Sequence, residues 1–251
     1  MLGNIKAEFL SKKKLSPDTF EFTFLCKEPN AIDFLPGQYL IIVFDKEGET
    51  KRKYYSISSP LRQSESEASP KQEKSKLEFI VKIIENGVGS QYLINLKEGA
   101  EVLLQGPAGM FVLKDDTKQK VFIATGTGIA PILSMIRTYA EVIKTNFRLI
   151  WGIKKNEDLY YYDTLRSIAE KYNNFSFEIF ISREEPKSRE NNNILHGRVN
   201  IGIDKLLNNP ETNKEELEFY ISGDRDIVDS IREYLLARNI LPEDIKLEKF
   251  I

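Results

Sequence analysis

Along residues 1–113 apolar and polar positions alternate in short runs. Phe20, Phe22 and Phe24 share one parity, as do Phe79, Val81 and Ile83. A period of two marks strands with one buried face. Turn signals break the runs at Pro36-Gly37, Glu47-Gly48, Asn86-Gly87, Glu98-Gly99 and Gly106-Pro107. Many short strands between glycine turns predict a closed antiparallel β-barrel over 1–113. Residues 62–76 lack this rhythm and read as a long loop inside the barrel, because alternation resumes at Leu77. Over 114–251 strand and helix patterns alternate instead. Strands are predicted at 121–125, 147–152, 176–182 and 218–222, and helices near 130–144, 162–172 and 226–238. The last helix gathers Ile227, Val228, Ile231, Tyr234 and Leu235 on one face. This is the grammar of an α/β domain with a parallel sheet. Ligands sit beyond the carboxyl ends of such strands. Thr125–Gly128, Ser182-Arg183 and Ser222-Gly223 are therefore expected along one edge.

Residues 121–131 read Val-Phe-Ile-Ala-Thr-Gly-Thr-Gly-Ile-Ala-Pro. Strand, glycine turn, helix is the context of a phosphate-binding loop. Gly126 and Gly128 let the backbone approach a ligand, and the helix start offers free N–H groups to an anion. Pro131 suits a first helical turn, where its missing N–H is not needed. The dinucleotide fingerprint is incomplete. Pro131 replaces the third glycine, and about 20 residues on, where an acidic ribose ligand is expected, stand Asn146 and Phe147. A tight turn between a buried strand and a helix is the plainer reading of the loop.

Composition narrows the classes. The 251 residues are 41% hydrophobic, enough for a real core. Lys and Arg number 36 against 38 Asp and Glu, a net charge of −2, which argues against a nucleic-acid partner. One cysteine, Cys26, excludes internal disulfides and all-cysteine metal clusters and reads as core filler. One histidine, His196, argues against histidine metal sites and catalytic triads, and no metal site is expected. The longest aliphatic run, Leu40–Phe44, is too short to span a bilayer. Residues 1–14 hold no apolar stretch of signal-peptide length. A cytoplasmic protein without membrane contact is the expectation, with the oligomeric state open.

In the barrel half three segments carry chemistry: Phe34–Tyr39, Arg52–Pro60, and Asn86–Leu93 with Gly106–Phe111 after it. Tyr54 and Tyr55 offer stacking faces, Ser56, Ser58 and Ser59 offer hydroxyls, and Arg52 and Lys53 offer charge for phosphate. Gly87, Val88, Gly89 and Ser90 can present backbone donors to an anion. A flat, anionic cofactor fits this set; an amphipathic strand with one wet face is the bland alternative.

The order Pro-Gly-Gln, basic-x-Tyr-Ser-x-x-Ser, Gly-Val-x-Ser, Gly-Pro-x-Gly, Thr-Gly-Thr-Gly-Ile-Ala-Pro resembles the ferredoxin–NADP reductase superfamily over nearly the whole chain. Further matches are Trp151-Gly152, Glu157–Tyr160, Ser182-Arg183-Glu184 and Glu248 to Phe250. The resemblance implies an FAD-binding barrel followed by an NADP(H)-binding α/β domain. It places Tyr55 against the isoalloxazine, Ser56 near the reactive N5, and Ser90 with its neighbours on the flavin pyrophosphate. It places Thr125, Gly126, Thr127, Gly128 and Pro131 on the dinucleotide. It implies hydride transfer between nicotinamide and flavin, then single-electron transfer to a carrier such as ferredoxin or flavodoxin. Ser182 and Arg183 stand where the family can grip a 2′-phosphate, with Lys154, Lys155 and Arg189 adding charge. The bland alternative pairs Arg183 with Glu184 or Glu185.

Several positions depart from the family pattern. Lys53 holds the place of the family's arginine, so either Lys53 or its neighbour Arg52 meets the pyrophosphate. Ser222-Gly223 replaces a frequent Cys-Gly beside the nicotinamide. Phe250 is followed by Ile251, which puts its stacking on the flavin in question. Glu248 either assists proton movement or forms a structural ion pair. Lys12–Lys14 and Lys51–Lys53 offer a basic face for an acidic carrier, or are merely solvated. The alternatives are an NADH-dependent reductase component of a multicomponent oxygenase, and a non-catalytic flavin-binding subunit of a larger redox complex.

Overall fold

The computed structural model describes residues 2–61, 74–114, 116–187 and 192–250. Most of the expected loop (residues 62–73), Arg189 and Ile251 lie outside the described residues. The chain divides into two compact units: Met1–Leu113 with Leu133–Thr138, and Lys114–Ile132 with Tyr139–Ile251.

Among the described residues the first unit holds six strands, β1 (Gly3–Lys14), β2 (Thr19–Glu28), β3 (Tyr39–Lys46), β4 (Glu49–Ser56), β5 (Lys76–Lys82) and β6 (Glu101–Ala108). They form one antiparallel sheet in the order β4-β3-β6-β1-β2-β5. The sheet curls until Ile57, just past β4, makes an antiparallel bridge to Phe79 on β5. The alternating phenylalanines explain the curl. Phe22 and Phe24 turn inward with Phe9 and Phe79, all buried, with Phe9–Phe24 and Phe24–Phe79 ring centroids 5.4 and 5.6 Å apart. Each such ring contributes roughly 1.5–3 kcal/mol by leaving water. Cys26 lies in the same core, and burial pushes its thiol up to about 11, so it is inert as a nucleophile. Alternation alone did not predict one element: Val88–Ile94 is a helix, α1.

The second unit is a parallel sheet with helices between its strands. The strands are β7 (Gln119–Thr125), β8 (Phe147–Ile153), β9 (Phe175–Ile181), β10 (Ile194–His196), β11 (Leu217–Asp224) and β12 (Ile245–Phe250), in the order β10-β9-β8-β7-β11-β12. The helices are α2 (Ile129–Tyr139), α3 (Tyr162–Lys171), α4 (Val199–Leu207) and α5 (Arg225–Leu236). Each predicted strand is present within two residues. The predicted helix 130–144 ends early: past Tyr139 one isolated turn remains, with the Ile143 N–H on the Tyr139 carbonyl at 3.0 Å. The β-branched pair Val142-Ile143 is a poor helix former. At the amino end of the sheet the fully buried Lys120 ammonium is paired with Glu218 at 2.9 Å and with Asp116, while the Tyr220 hydroxyl donates to Glu218 at 2.7 Å. A buried charge is tolerated only when it is paired like this.

The second half of α2 is the part that groups with the barrel. Ser134 Oγ donates to the Ser59 carbonyl at 2.6 Å, and the Leu61 N–H donates to Thr138 Oγ1 at 2.9 Å. Arg137 bridges the Ser58 carbonyl (3.3 Å) and Glu78 (2.8 Å). These bonds pin the segment that follows Ser56.

Candidate active site

In the barrel unit, β4 sorts its residues by face. Its register sets Arg52 against Val43, Lys53 against Ile42, Tyr54 against Ile41 and Tyr55 against Leu40. Successive side chains point to opposite faces. Lys53 and Tyr55 therefore share one face, and Arg52 and Tyr54 the other. Gly89 fixes which is which. A Cβ built there would meet Tyr55 Oη at 2.5 Å and Lys53 Cγ at 2.9 Å, so the lysine and the tyrosine lie over the Gly87–Ser90 segment. Tyr54, predicted as a second stacking face beside Tyr55, instead stands 61% exposed and packs edge-on against Tyr39 at 5.5 Å. Burial pushes the Tyr55 phenol up to about 12, so it stays neutral. Ser56 is buried at the end of the strand, opposite Tyr39. Ser90 is buried too, and its Oγ accepts the Ile84 N–H at 2.9 Å.

In the sheet unit, the carboxyl ends of β7 and β11 meet. Ser222 lies in register with Ala124 on one side and with Glu248 on the other. A Cβ on Gly128 would sit 2.1 Å from the Ser222 carbonyl oxygen, and one on Gly223 would sit 2.1 Å from Thr125 Oγ1. The Thr125–Gly128 loop and the end of β11 are thus packed backbone to backbone. Thr125 Oγ1 and Ser222 Oγ are both buried without a hydrogen-bond partner among the described residues. Native proteins rarely leave such atoms unsatisfied unless a ligand or water completes them. Beside them, burial pushes the Glu248 carboxyl up to about 7. Pro131 is buried in the first turn of α2, and Phe250 is partly buried, in register with Asp224.

Further along the same edge, Ser182 and Arg183 follow β9. Ser182 Oγ donates to the Ile153 carbonyl at 3.2 Å, which commits its proton. Arg183 is exposed, and the bland pairing is not what the structure shows. Glu184 accepts from the Asn156 side chain at 2.7 Å, and Glu185 pairs with His196 Nδ1 at 2.7 Å. Arg183 makes no ion pair among the described residues. Lys154 is exposed on the neighbouring strand end, Lys155 is paired with Glu157 at 3.1 Å, and Arg198 stands exposed at the start of α4. Asn156 organises this loop, since its Oδ1 also takes the Lys187 N–H at 2.9 Å. Neither Asn156 nor Arg198 lies in a sequence motif, so nothing in the sequence singles them out.

A curled antiparallel barrel with a basic-aromatic strand, and a parallel sheet with a glycine loop at its carboxyl edge, define a flavoprotein oxidoreductase fold. The comparisons agree with both halves. Residues 6–113 match the oxidoreductase FAD-binding domain and residues 122–233 the oxidoreductase NAD-binding domain. The chain belongs to the ferredoxin–NADP reductase-like family of flavin- and NAD(P)H-dependent oxidoreductases. Ferredoxin–NADP reductase B of Sorangium cellulosum is 30% identical over 184 residues, covering 72% of this chain and 71% of that protein. The electron transfer component of Burkholderia cepacia 2-halobenzoate 1,2-dioxygenase is 28% identical over 239 residues, 94% of this chain. This chain spans only 64% of that relative's length. The crystal structure of the Amycolatopsis cytochrome P450 reductase GcoB superposes with a TM-score of 0.82 at 25% identity, covering 99% of this chain and 70% of that one. Among the described residues no helix is long and apolar enough to cross a membrane.

Proposed function

We propose that this protein is an FAD-dependent reductase that draws electrons from NADPH and passes them one at a time to a separate carrier protein, a ferredoxin or flavodoxin. The residues present fit the flavin: Lys53 and Tyr55 lie over Gly89, where any side chain would fill the space between them. When bound, FAD accepts a hydride and releases single electrons, which is the chemistry the side chains lack. In this reading Lys53 neutralises the pyrophosphate over Gly87–Ser90, Tyr55 covers the ring system, and Ser56 offers its hydroxyl to the reacting edge. Thr125–Gly128 and Pro131 hold the dinucleotide. Ser222 and Gly223 shape the nicotinamide end, and Glu248 keeps a proton near neutrality. Phe250 ends the strand that carries Glu248. The 251 residues hold one cysteine, so a four-cysteine cluster is not within them and electrons leave to another centre.

The observation that carries the NADPH preference is Arg183. Its two acidic neighbours are engaged by Asn156 and His196, which leaves an exposed guanidinium beside the exposed Lys154. Arginine suits a phosphate monoester through bidentate, charge-assisted bonds. Such bonds contribute about 1.5–3 kcal/mol, or roughly 10- to 100-fold in affinity. The test is kcat/KM for NADPH and for NADH in wild type and Arg183→Ala. Wild type should favour NADPH, and the variant should lose most of that ratio with its NADH rate intact. A wild type that favours NADH, or a ratio that does not move, contradicts the assignment. The second reading, an NADH-dependent reductase of an oxygenase system, is favoured by the similarity to the halobenzoate dioxygenase component. It is what the first of those contrary results supports.

A further inference from the structure

Trp151 is the chain's single tryptophan, and it is fully buried on β8 in register with Ala124. Its indole Nε1–H donates to the carbonyl oxygen of Gly126 at 3.0 Å. The same oxygen accepts the Ile129 N–H where α2 begins. Two donors on one carbonyl fix the plane of the peptide between Gly126 and Thr127. In a trans peptide the C=O and N–H point in opposite directions. The Thr127 N–H is therefore turned away from the tryptophan. It belongs to a first helical turn, so it has no acceptor within the helix. Gly126 is exposed with φ 53°, and a Cβ there would meet nothing within 4 Å, so space is open beside this peptide. The unpartnered Thr125 Oγ1 and Ser222 Oγ lie at the same loop. The indole is in turn held edge-on by Tyr160, with ring centroids 5.1 Å apart.

We infer that Trp151 is the positioning residue of the nucleotide loop. Its N–H sets the Gly126–Thr127 peptide so that the Thr127 N–H faces the pyrophosphate of a bound pyridine dinucleotide. The inference rests on Thr125–Gly128 being the nucleotide site. Trp151 is fully buried and acts through the Gly126 carbonyl rather than from the exposed surface of the loop.

The test removes the N–H and keeps the shape. Trp151→Phe keeps an aromatic ring. Replacement of the single tryptophan by 3-benzothienylalanine keeps the bicyclic outline and puts sulfur in place of the N–H. NADP+ binding to the FAD-loaded protein is measured by calorimetry. One lost hydrogen bond predicts about tenfold weaker binding in both proteins. KM for NADPH should rise by the same factor, with kcat and FAD content at wild-type levels. Wild-type NADP+ affinity in the benzothienyl protein overturns the inference, as does a loss of FAD that parallels the loss of NADP+. Should wild type bind neither NADP+ nor NAD+, the nucleotide site itself is misassigned, and that failure is seen without either variant.

Discussion

The two units build their sites by different rules. In the barrel the candidate residues come from one strand read every second position. Lys53 and Tyr55 reach the Gly87–Ser90 segment while Arg52 and Tyr54, their immediate neighbours, face away. In the parallel sheet they come in contiguous pairs and loops where strands end: Thr125–Gly128, Ser182-Arg183, Ser222-Gly223. A side chain in the barrel is selected by its face, so a one-residue slip would exchange the whole set. A residue in the sheet unit is selected by its distance from a strand end, and its backbone matters as much as its side chain.

The glycines break or sharpen this contrast most strongly. Gly128→Ala would drive a methyl group into the Ser222 backbone, 2.1 Å from its carbonyl oxygen, and backbone yields only by moving. A shift of about 1 Å in a site can cost on the order of 100-fold, so kcat/KM for the nucleotide should fall by that order. Gly89→Ala instead meets side chains rather than backbone, the Tyr55 hydroxyl at 2.5 Å and the stem of Lys53 at 2.9 Å, and the tyrosine end can shift. Its loss should be confined to FAD affinity and reach about tenfold. Steady-state kinetics and FAD titrations of the two variants measure both. A Gly128→Ala enzyme with normal kinetics would break the distinction.

The next effect separates the faces of β4. Lys53→Ala should weaken FAD binding on the order of 10-fold, the value of one charge-assisted contact. Arg52→Ala should leave it unchanged. Flavin release followed by fluorescence decides the matter, and the reverse ranking would mean that the strand is shifted by one residue.

A smaller effect is pH-dependent and belongs to the sheet unit. Burial holds the Glu248 carboxyl at about 7, against 4.5 for an ordinary glutamate. Between those values the folded protein keeps a proton that the unfolded chain has released. Stability from this group therefore falls as pH rises from about 4.5 through 7, then levels. Glu248→Gln does not titrate, so its melting temperature should gain on wild type between pH 5 and pH 8. The gain corresponds to about 1–2 kcal/mol once partial exposure is allowed for. The barrel has a raised carboxyl of its own, Glu21, whose burial also pushes it up, but the substitution leaves it in place, so the difference between the two proteins reports Glu248 alone. A variant whose advantage is equal at pH 5 and pH 8 would remove Glu248 as the cause.

Much of this was legible in the residues. The phenylalanine alternation gives the antiparallel barrel, and the strand–helix rhythm from 120 onward gives the parallel sheet. What stayed hidden has physical causes. The helix Val88–Ile94 escaped the sequence pattern because seven residues are too few to show a clear helical period. Leu133–Thr138 lies with the barrel, tied by hydrogen bonds to residues more than fifty positions away, such as Ser134 to Ser59. Whether Lys53 or Arg52 serves the flavin is a question of strand face, which needs Gly89 as a landmark. The freedom of Arg183 depends on where Glu184 and Glu185 go, and that is decided by Asn156 and His196. The tryptophan bond to Gly126 links two strand ends 25 residues apart and leaves no motif.

The central claim is that the barrel holds FAD and the sheet edge delivers electrons to it from NADPH. The most direct test is an anaerobic titration of the purified yellow protein, with flavin absorbance followed as nucleotide is added. The account predicts that heating releases FAD, that about one equivalent of NADPH bleaches the flavin, and that NADH does so more slowly at equal concentration. Recovery of FMN, or a flavin that stays oxidised with both nucleotides, would contradict it.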